Sequence, residues 1–291
     1  MKKLLKFLIK EVKTLYYKLC LIWARLTENF IKNVKNIRCI KSKKALVIYI
    51  THPFKKNIKK LAHTNIKETK IMVDILTDMS FSVDVLDYRY KYPIQSQEYD
   101  LIIGFGDAYE SIFYQAARPT CILYATGAPL PVQNYAETMR IKAISDVKGI
   151  NLFPERVFDR TWPCSDILSD AIISVTSGWA KSQFEKHHGN VYSVNITSLS
   201  DELVLSDAFI KNKDPRQFVW FSGAGAAHKG LDLCLEVFKE KPDLTLHVIG
   251  NLEQEPHFMR HYQSFLHLNN IHYHGFSNSR SMAKYLIYIN F

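Results

Sequence analysis

From residue 45 onward, short runs of near-continuous apolar residues alternate with stretches of helical period. The runs at 45–50 (ALVIYI), 81–86 (FSVDVL), 99–104 (YDLIIG), 120–125 (TCILYA), 171–175 (AIISV) and 191–194 predict strands, and the stretches 65–79, 109–117, 134–147 and 179–187 predict helices. A strand that is apolar along its whole length must be covered on both faces. Parallel pairing needs a long crossover between strands, which the intervening helices supply. The polar stretch 208–217 (AFIKNKDPRQ), with Pro215 and no apolar period, reads as a linker. A second alternation follows, with strands at 218–222, 244–250 and 271–276, helices at 229–239 and 256–266, and the start of another helix at 281–289.

The expected fold class is α/β: two Rossmann-like parallel-sheet domains, over 45–210 and 216–291, preceded by a helical segment over 1–44. Three strands in about 75 residues make roughly half of a doubly wound unit. The second domain is therefore expected to be incomplete: truncated, finished by a partner protein that covers the sheet, or left unfinished on the first domain.

The chain of 291 residues carries a formal net charge of +10, and the excess is local. Residues 1–44 hold thirteen Lys or Arg against Glu11 and Glu28, while the remainder holds 25 basic and 26 acidic residues. An electrically ordinary globular part excludes a nucleic-acid footprint spread over the whole surface. In the basic segment Leu5, Leu8, Val12, Leu15, Leu19, Ile22, Leu26, Phe30 and Val34 recur three or four apart, the repeat of one helical face. Its longest uncharged run, 19–24, is far short of the roughly 20 residues that span a bilayer, and Lys6 and Lys10 interrupt any signal-peptide core. The expectation is an interfacial helix, with Phe7, Tyr16 and Trp23 in the headgroup boundary and lysines against an anionic membrane surface. The alternative is a helix packed on its own domain or on a partner. Five cysteines, odd in number and without metal-ligand spacing, predict neither a disulfide framework nor a zinc site and fit a reducing cytoplasm.

The stretch FSGAGAAHKGLDLCLEVF, residues 221–238, runs from a strand through glycines and a Lys-Gly pair into an amphipathic helix. Bare backbone amides ahead of a helix N-terminus favour phosphate. A P-loop is excluded because Leu231, not Ser or Thr, follows Lys229-Gly230. A dinucleotide fingerprint is excluded because His228 stands where its third glycine belongs and no ribose-binding acid follows Gly250-Asn251.

The remaining pattern, strand, Ser-Gly-Ala-Gly, Lys-Gly, helix, resembles the start of the donor-binding domain of retaining glycosyltransferases of family 4, which have the GT-B fold. LTLHVIG at 244–250 and NIHYHGF at 270–276 resemble the next two strands of that domain. In the first half, His52-Pro53-Phe54, His63-Thr64-Asn65 with Glu68, Tyr124-Ala125-Thr126-Gly127, and Gln133-Asn134-Tyr135-Ala136-Glu137 with Arg140 resemble a bacterial polysaccharide branch of the family.

The resemblance covers residues 45–291 and implies transfer of a sugar from a nucleotide-sugar donor to a glycan or lipid-linked acceptor. It implies a donor diphosphate held by Ser222, Gly223, Gly225, Lys229 and Gly230, and an acceptor side formed by His52, His63, Asn65, Thr126, Gly127, Asn134, Glu137 and Arg140. No metal and no cofactor beyond the nucleotide-sugar substrate is implied, and no nucleic acid. The implied location is the cytoplasmic face of the membrane.

Two departures stand out. The arginine that usually accompanies the lysine is missing from the loop, which offers only Ala224, Gly225, Ala226 and Ala227, and no pair of glutamates seven residues apart follows Phe276. No residue is identified as catalytic. Bland readings run alongside: Thr64 or Asn65 as a helix cap with Glu68, Glu137 with Arg140 as a surface ion pair, Asp107 as a cap, and His228 as a surface histidine.

Overall fold

The computed structural model describes residues 2–35, 43–55, 64–195 and 214–276. Most of the expected linker 208–217 (residues 208–213), the helix expected at 281–289 and the candidate His63 lie outside the described residues, and Gln217 already opens a strand. The chain divides into two compact units, one made of Met1–Leu130 and Arg160–Leu199, the other of Pro131–Asp159 and Ser200–Phe291.

In the first unit, strands β1 (Phe30–Ile31), β2 (Lys43–Tyr49), β3 (Phe81–Asp87), β4 (Leu101–Gly104), β5 (Thr120–Ala125), β6 (Ala171–Ser174) and β7 (Val191–Ser193) form one sheet in the order β1-β3-β2-β4-β5-β6-β7. Every pair is parallel except β1 against β3. β2 is central, with Val47 opposite Val85 on one side and Ile103 on the other. Alternate residues of this strand feed two cores. Ala45, Val47 and Tyr49 pack with Val73 and Leu76 of helix α2 (Thr64–Asp78), while Leu46 and Ile48 pack with Ala24 of α1 (Lys2–Leu26) and Tyr109 of α3 (Asp107–Glu110). That division is why the strand is apolar throughout. The strand order reverses between β2 and β4, so the carboxyl ends of those two strands form the switch point where open α/β sheets bind ligands.

α1 rests on this unit through Cys20, Leu21 and Ala24. Its larger apolar side chains face the other way: Leu5, Ile9, Val12, Tyr16, Leu19, Trp23 and Leu26 are all exposed, at alternating spacings of four and three. The helix ends at Leu26, earlier than the apolar repeat, because the chain reverses at Glu28 (φ 53°) and Phe30 enters β1 as a buried residue. No helix among the described residues is long and apolar enough to cross a membrane.

The second unit is built on β8 (Gln217–Phe221), β9 (Thr245–Ile249) and β10 (Ile271–Tyr273), a parallel sheet in sequential order. Its core combines Trp220, Leu246, Val248 and Ile271 with helix α7 (Leu231–Glu240), which buries Leu231, Leu235 and Phe238 at i, i+4 and i+7. Phe258 and Tyr262 of α8 (Pro256–Tyr262) complete one side. This core also recruits a stretch from the middle of the sequence: Ile144 of α4 (Leu130–Lys148) and Leu152 beyond it. The unit therefore differs from the expected span 216–291, since α4 and residues 149–159 group with it.

Two short helices complete the first unit, α5 (Pro163–Leu168) and α6 (Trp179–Glu185). α5 begins on a buried carboxylate: Glu110 accepts hydrogen bonds from the Cys164 amide at 3.0 Å, the Ser165 amide at 2.7 Å and the Ser165 hydroxyl at 2.6 Å. The carboxyl of Asp166, one residue further on, makes no hydrogen bond or ion pair among the described residues. Burial, and then the neighbouring Glu110, push its carboxyl up to about 7. A carboxyl raised in the folded state binds its proton there more tightly than in the unfolded chain, so stability is lost as pH climbs from about 4 through 7. Asp166→Asn should flatten that slope and raise stability at pH 7.5 by up to about 4 kcal/mol, measured by urea unfolding across the range. An unchanged slope would contradict the assignment.

Candidate functional site

In the second unit, residues 222–230 (SGAGAAHKG) link β8 to α7. Two glycines shape the loop. Gly225 adopts φ +84°, and a Cβ there would lie 3.1 Å from both Cγ and Cδ of Arg156 and 3.3 Å from Cβ of His228. Gly230 (φ +74°) serves as the left-handed N-cap of α7, without a side-chain cap.

Two buried carboxylates hold this loop. Glu255, 4% exposed, accepts hydrogen bonds from the amides of Gly225 at 2.6 Å and Ala226 at 2.8 Å. Successive amides converging on an anion form a nest, and here its guest is the chain's own carboxylate. Glu137 of α4, 2% exposed, lies 2.6 Å from Nδ1 of His228 and accepts from the Arg156 amide at 3.3 Å. The space enclosed with these groups is about 10 Å³, at most room for one water. Beneath the loop, the fully buried Asp232 accepts from Nη2 of Arg140 at 2.6 Å to each oxygen and from Lys148 at 3.3 Å; Lys148 also pairs with Glu236.

With its acids committed, the loop retains unneutralised positive charge. Lys229 is exposed, and its ammonium makes no hydrogen bond or ion pair among the described residues. Its pKa is lowered, first by partial burial and then by the charge of Arg156, against the opposing effect of Glu255. The Arg156 guanidinium donates to no described group, and its Nε is buried without a partner. The charge of Arg156 bears on Lys229, and neither side chain forms an ion pair among the described residues, so an arriving anion would be met by both. The exposed Gly223 and Ala224, whose amides donate to no described group, lie in the same loop. Together these groups can hold a phosphate or diphosphate.

The expected residues separate accordingly. Ser222, Gly225, Lys229 and Gly230 fall in this loop, although the Ser222 hydroxyl turns back onto the Ala224 carbonyl at 3.3 Å. Asn134, Glu137 and Arg140, expected on the acceptor side of the first domain, belong to α4 in the second unit. There Asn134 clasps Phe158 through donor and acceptor at 2.8 and 2.9 Å. Glu137 and Arg140 do not pair with each other. His228 is engaged by Glu137 and is not a free surface histidine.

In the first unit, His52 follows β2 in a short 3-10 turn, and Thr126-Gly127 follow β5, all at the carboxyl edge of the sheet. The Asn65 carbonyl accepts from Thr69 within α2. Among the described residues Glu68 closes no capping box; it accepts from the Tyr49 hydroxyl at 2.9 Å, beside Tyr124. Asp107 does not cap its helix either, since Gly106 is the cap; its carboxylate takes the Trp162 indole at 2.8 Å and Arg160 at 3.0 Å.

Two site residues escaped sequence reasoning. Arg156 stands in an irregular stretch nearly seventy positions before the loop, and no local pattern announces it. Glu255 left a faint mark, an acid directly before Pro256 at a helix start. No protein-family model matches the chain, and no curated protein matches it.

Arg140→Met should strand much of the charge of the buried Asp232 and destabilise the second unit by about 2–4 kcal/mol, read by urea unfolding. A change under about 0.5 kcal/mol would show that Lys148 alone suffices.

Proposed function

We propose that this chain is a glycosyltransferase of the GT-B type, transferring a sugar from a nucleotide-sugar donor to a lipid-linked or surface polysaccharide acceptor at the cytoplasmic membrane face. The observation that carries the reading is the unanswered cation pair, Lys229 and Arg156, beside exposed loop amides at a strand's carboxyl end. In the resembled family a lysine and an arginine neutralise the donor diphosphate. Lys229 stands at the lysine's place, and Arg156 supplies from another segment the charge that the loop lacks. Departure of a nucleoside diphosphate builds negative charge on its β-phosphate, and a fixed lysine and guanidinium stabilise that charge without a metal or a protein nucleophile. The basic α1, with its apolar stripe outward, suits an enzyme whose acceptor lies in a membrane.

A second reading is favoured by Glu255. With the amides of Gly225 and Ala226 already taken by a carboxylate, the loop resembles a donor site closed by its own side chain, as in a non-catalytic transferase-like subunit that binds a partner protein. Calorimetric titration with UDP- and GDP-sugars separates the two. The transferase reading predicts saturable binding, weakened about 10- to 100-fold by Lys229→Ala or Arg156→Met, the loss of a charge-assisted hydrogen bond. The subunit reading predicts no binding to wild type and binding after Glu255→Gln.

The depressed pKa of Lys229 adds a pH signature. A bound diphosphate stabilises the ammonium, so affinity should fall as pH rises, beginning below the ordinary lysine value of 10.5. Lys229→Arg should remove that fall. Affinity independent of pH up to 10 would detach Lys229 from the phosphates.

A further inference from the structure

Independently of sugar transfer, the first unit carries a groove that nothing above uses. It has a volume of about 800 Å³ and runs between α1 and the segment after β3. Such a volume is in the range of small-molecule sites. One wall is Tyr16, Leu19 and Trp23, continuous with the exposed stripe of α1; the other is Tyr90 and Tyr92. The Tyr16 and Tyr92 hydroxyls meet across it at 3.3 Å. Tyr90 is only 8% exposed, yet its hydroxyl has no hydrogen-bond partner among the described residues. Arg89 and Lys91, both exposed, stand among the lining residues. Arg89 is fixed by Asp87 through Nε at 2.8 Å and one Nη at 3.0 Å, which leaves its other Nη free to donate. Lys91 makes no hydrogen bond or ion pair among the described residues.

We infer that this groove binds a single lipid phosphate, its hydrocarbon chain along Leu19 and Trp23, beside the Tyr16–Tyr92 contact, and its phosphate at Arg89 and Lys91 with the Tyr90 hydroxyl as a donor. Three features select that ligand. An aromatic trough of this size takes an apolar chain rather than a sugar. Charge at the rim, with Lys13, Lys18 and Arg25 on the same helix, calls for an anionic head. The apolar stripe leading out of the trough gives the chain a route from a bilayer. A buried, unpartnered hydroxyl costs about 1–3 kcal/mol, which a phosphate oxygen would remove.

The test is titration of the full chain with dodecyl phosphate below its critical micelle concentration, followed by tryptophan fluorescence, with N-ethylmaleimide labelling of the groove residue Cys20 read by peptide mass. Saturable binding is expected, with slowed labelling of Cys20. Tyr90→Phe should weaken binding about fivefold, and Arg89→Gln with Lys91→Gln about tenfold or more. Dodecyl maltoside and inorganic phosphate should each bind at least tenfold more weakly than dodecyl phosphate. Equal binding of the maltoside would reduce the site to an apolar surface, and equal binding of inorganic phosphate would make it a free-anion site. Cys20 labelling unaffected by saturating dodecyl phosphate would move the lipid elsewhere, and protection of Cys20 without ligand in a dimeric chain would give the groove to a second copy. Each of these four outcomes overturns the inference. Variants that keep the wild-type far-ultraviolet spectrum and melting temperature exclude misfolding as the cause of any loss.

Discussion

A carboxylate buried against two backbone amides sets the form of the second unit's loop. Glu255 receives Gly225 and Ala226 at hydrogen-bond distances typical of an ionised acceptor, and in doing so curls the glycine segment around a fixed negative charge. That curl puts Gly225 against Arg156, so closely that any side chain at 225 would press on the arginine stem. Glu137 holds the same arginine by its main chain and His228 by its ring. Two acids thereby spend themselves on the loop's framework, and the positive charge left over, on Lys229 and the Arg156 guanidinium, has no ion-pair partner among the described residues. The loop's amides meet one carboxylate inside the fold, while its cationic side chains meet none among the described residues.

The architecture was largely legible in the sequence because burial on both faces leaves an unambiguous record. β2, β3, β5 and β9 fall within two residues of the apolar runs that predicted them, and α2, α4 and α7 fall close to their helical stretches. What escaped was short or non-local. β1 has two residues and pairs antiparallel with β3, too brief for any periodicity to register. α5 is set by Glu110, more than fifty positions away. The allegiance of α4 was invisible because its partners, Asp232 and Glu236 on α7, lie more than eighty positions downstream. Glycines and a lysine at a strand end were readable; the second cation was not, since only the fold of residues 149–159 carries Arg156 to the loop.

The two units show different uses of surplus positive charge. In the second it is concentrated in two side chains beside bare amides, where a compact phosphate would be met by several donors at once. In the first it is spread along α1, together with a row of large apolar side chains that the unit itself does not cover. Soluble domains seldom leave so long an apolar row open without a surface to place against it. A phosphate bearing a nucleoside suits the first arrangement, and one bearing a hydrocarbon chain suits the second.

The most direct measurement of the central claim is the proton-nitrogen resonance of Arg156 Nε, followed in arginine-labelled protein during titration with UDP. Closure of the unpaired donor on a phosphate predicts a large, saturable downfield proton shift that disappears in Lys229→Ala. An Nε resonance that stays in place while UDP saturates the protein would contradict the account.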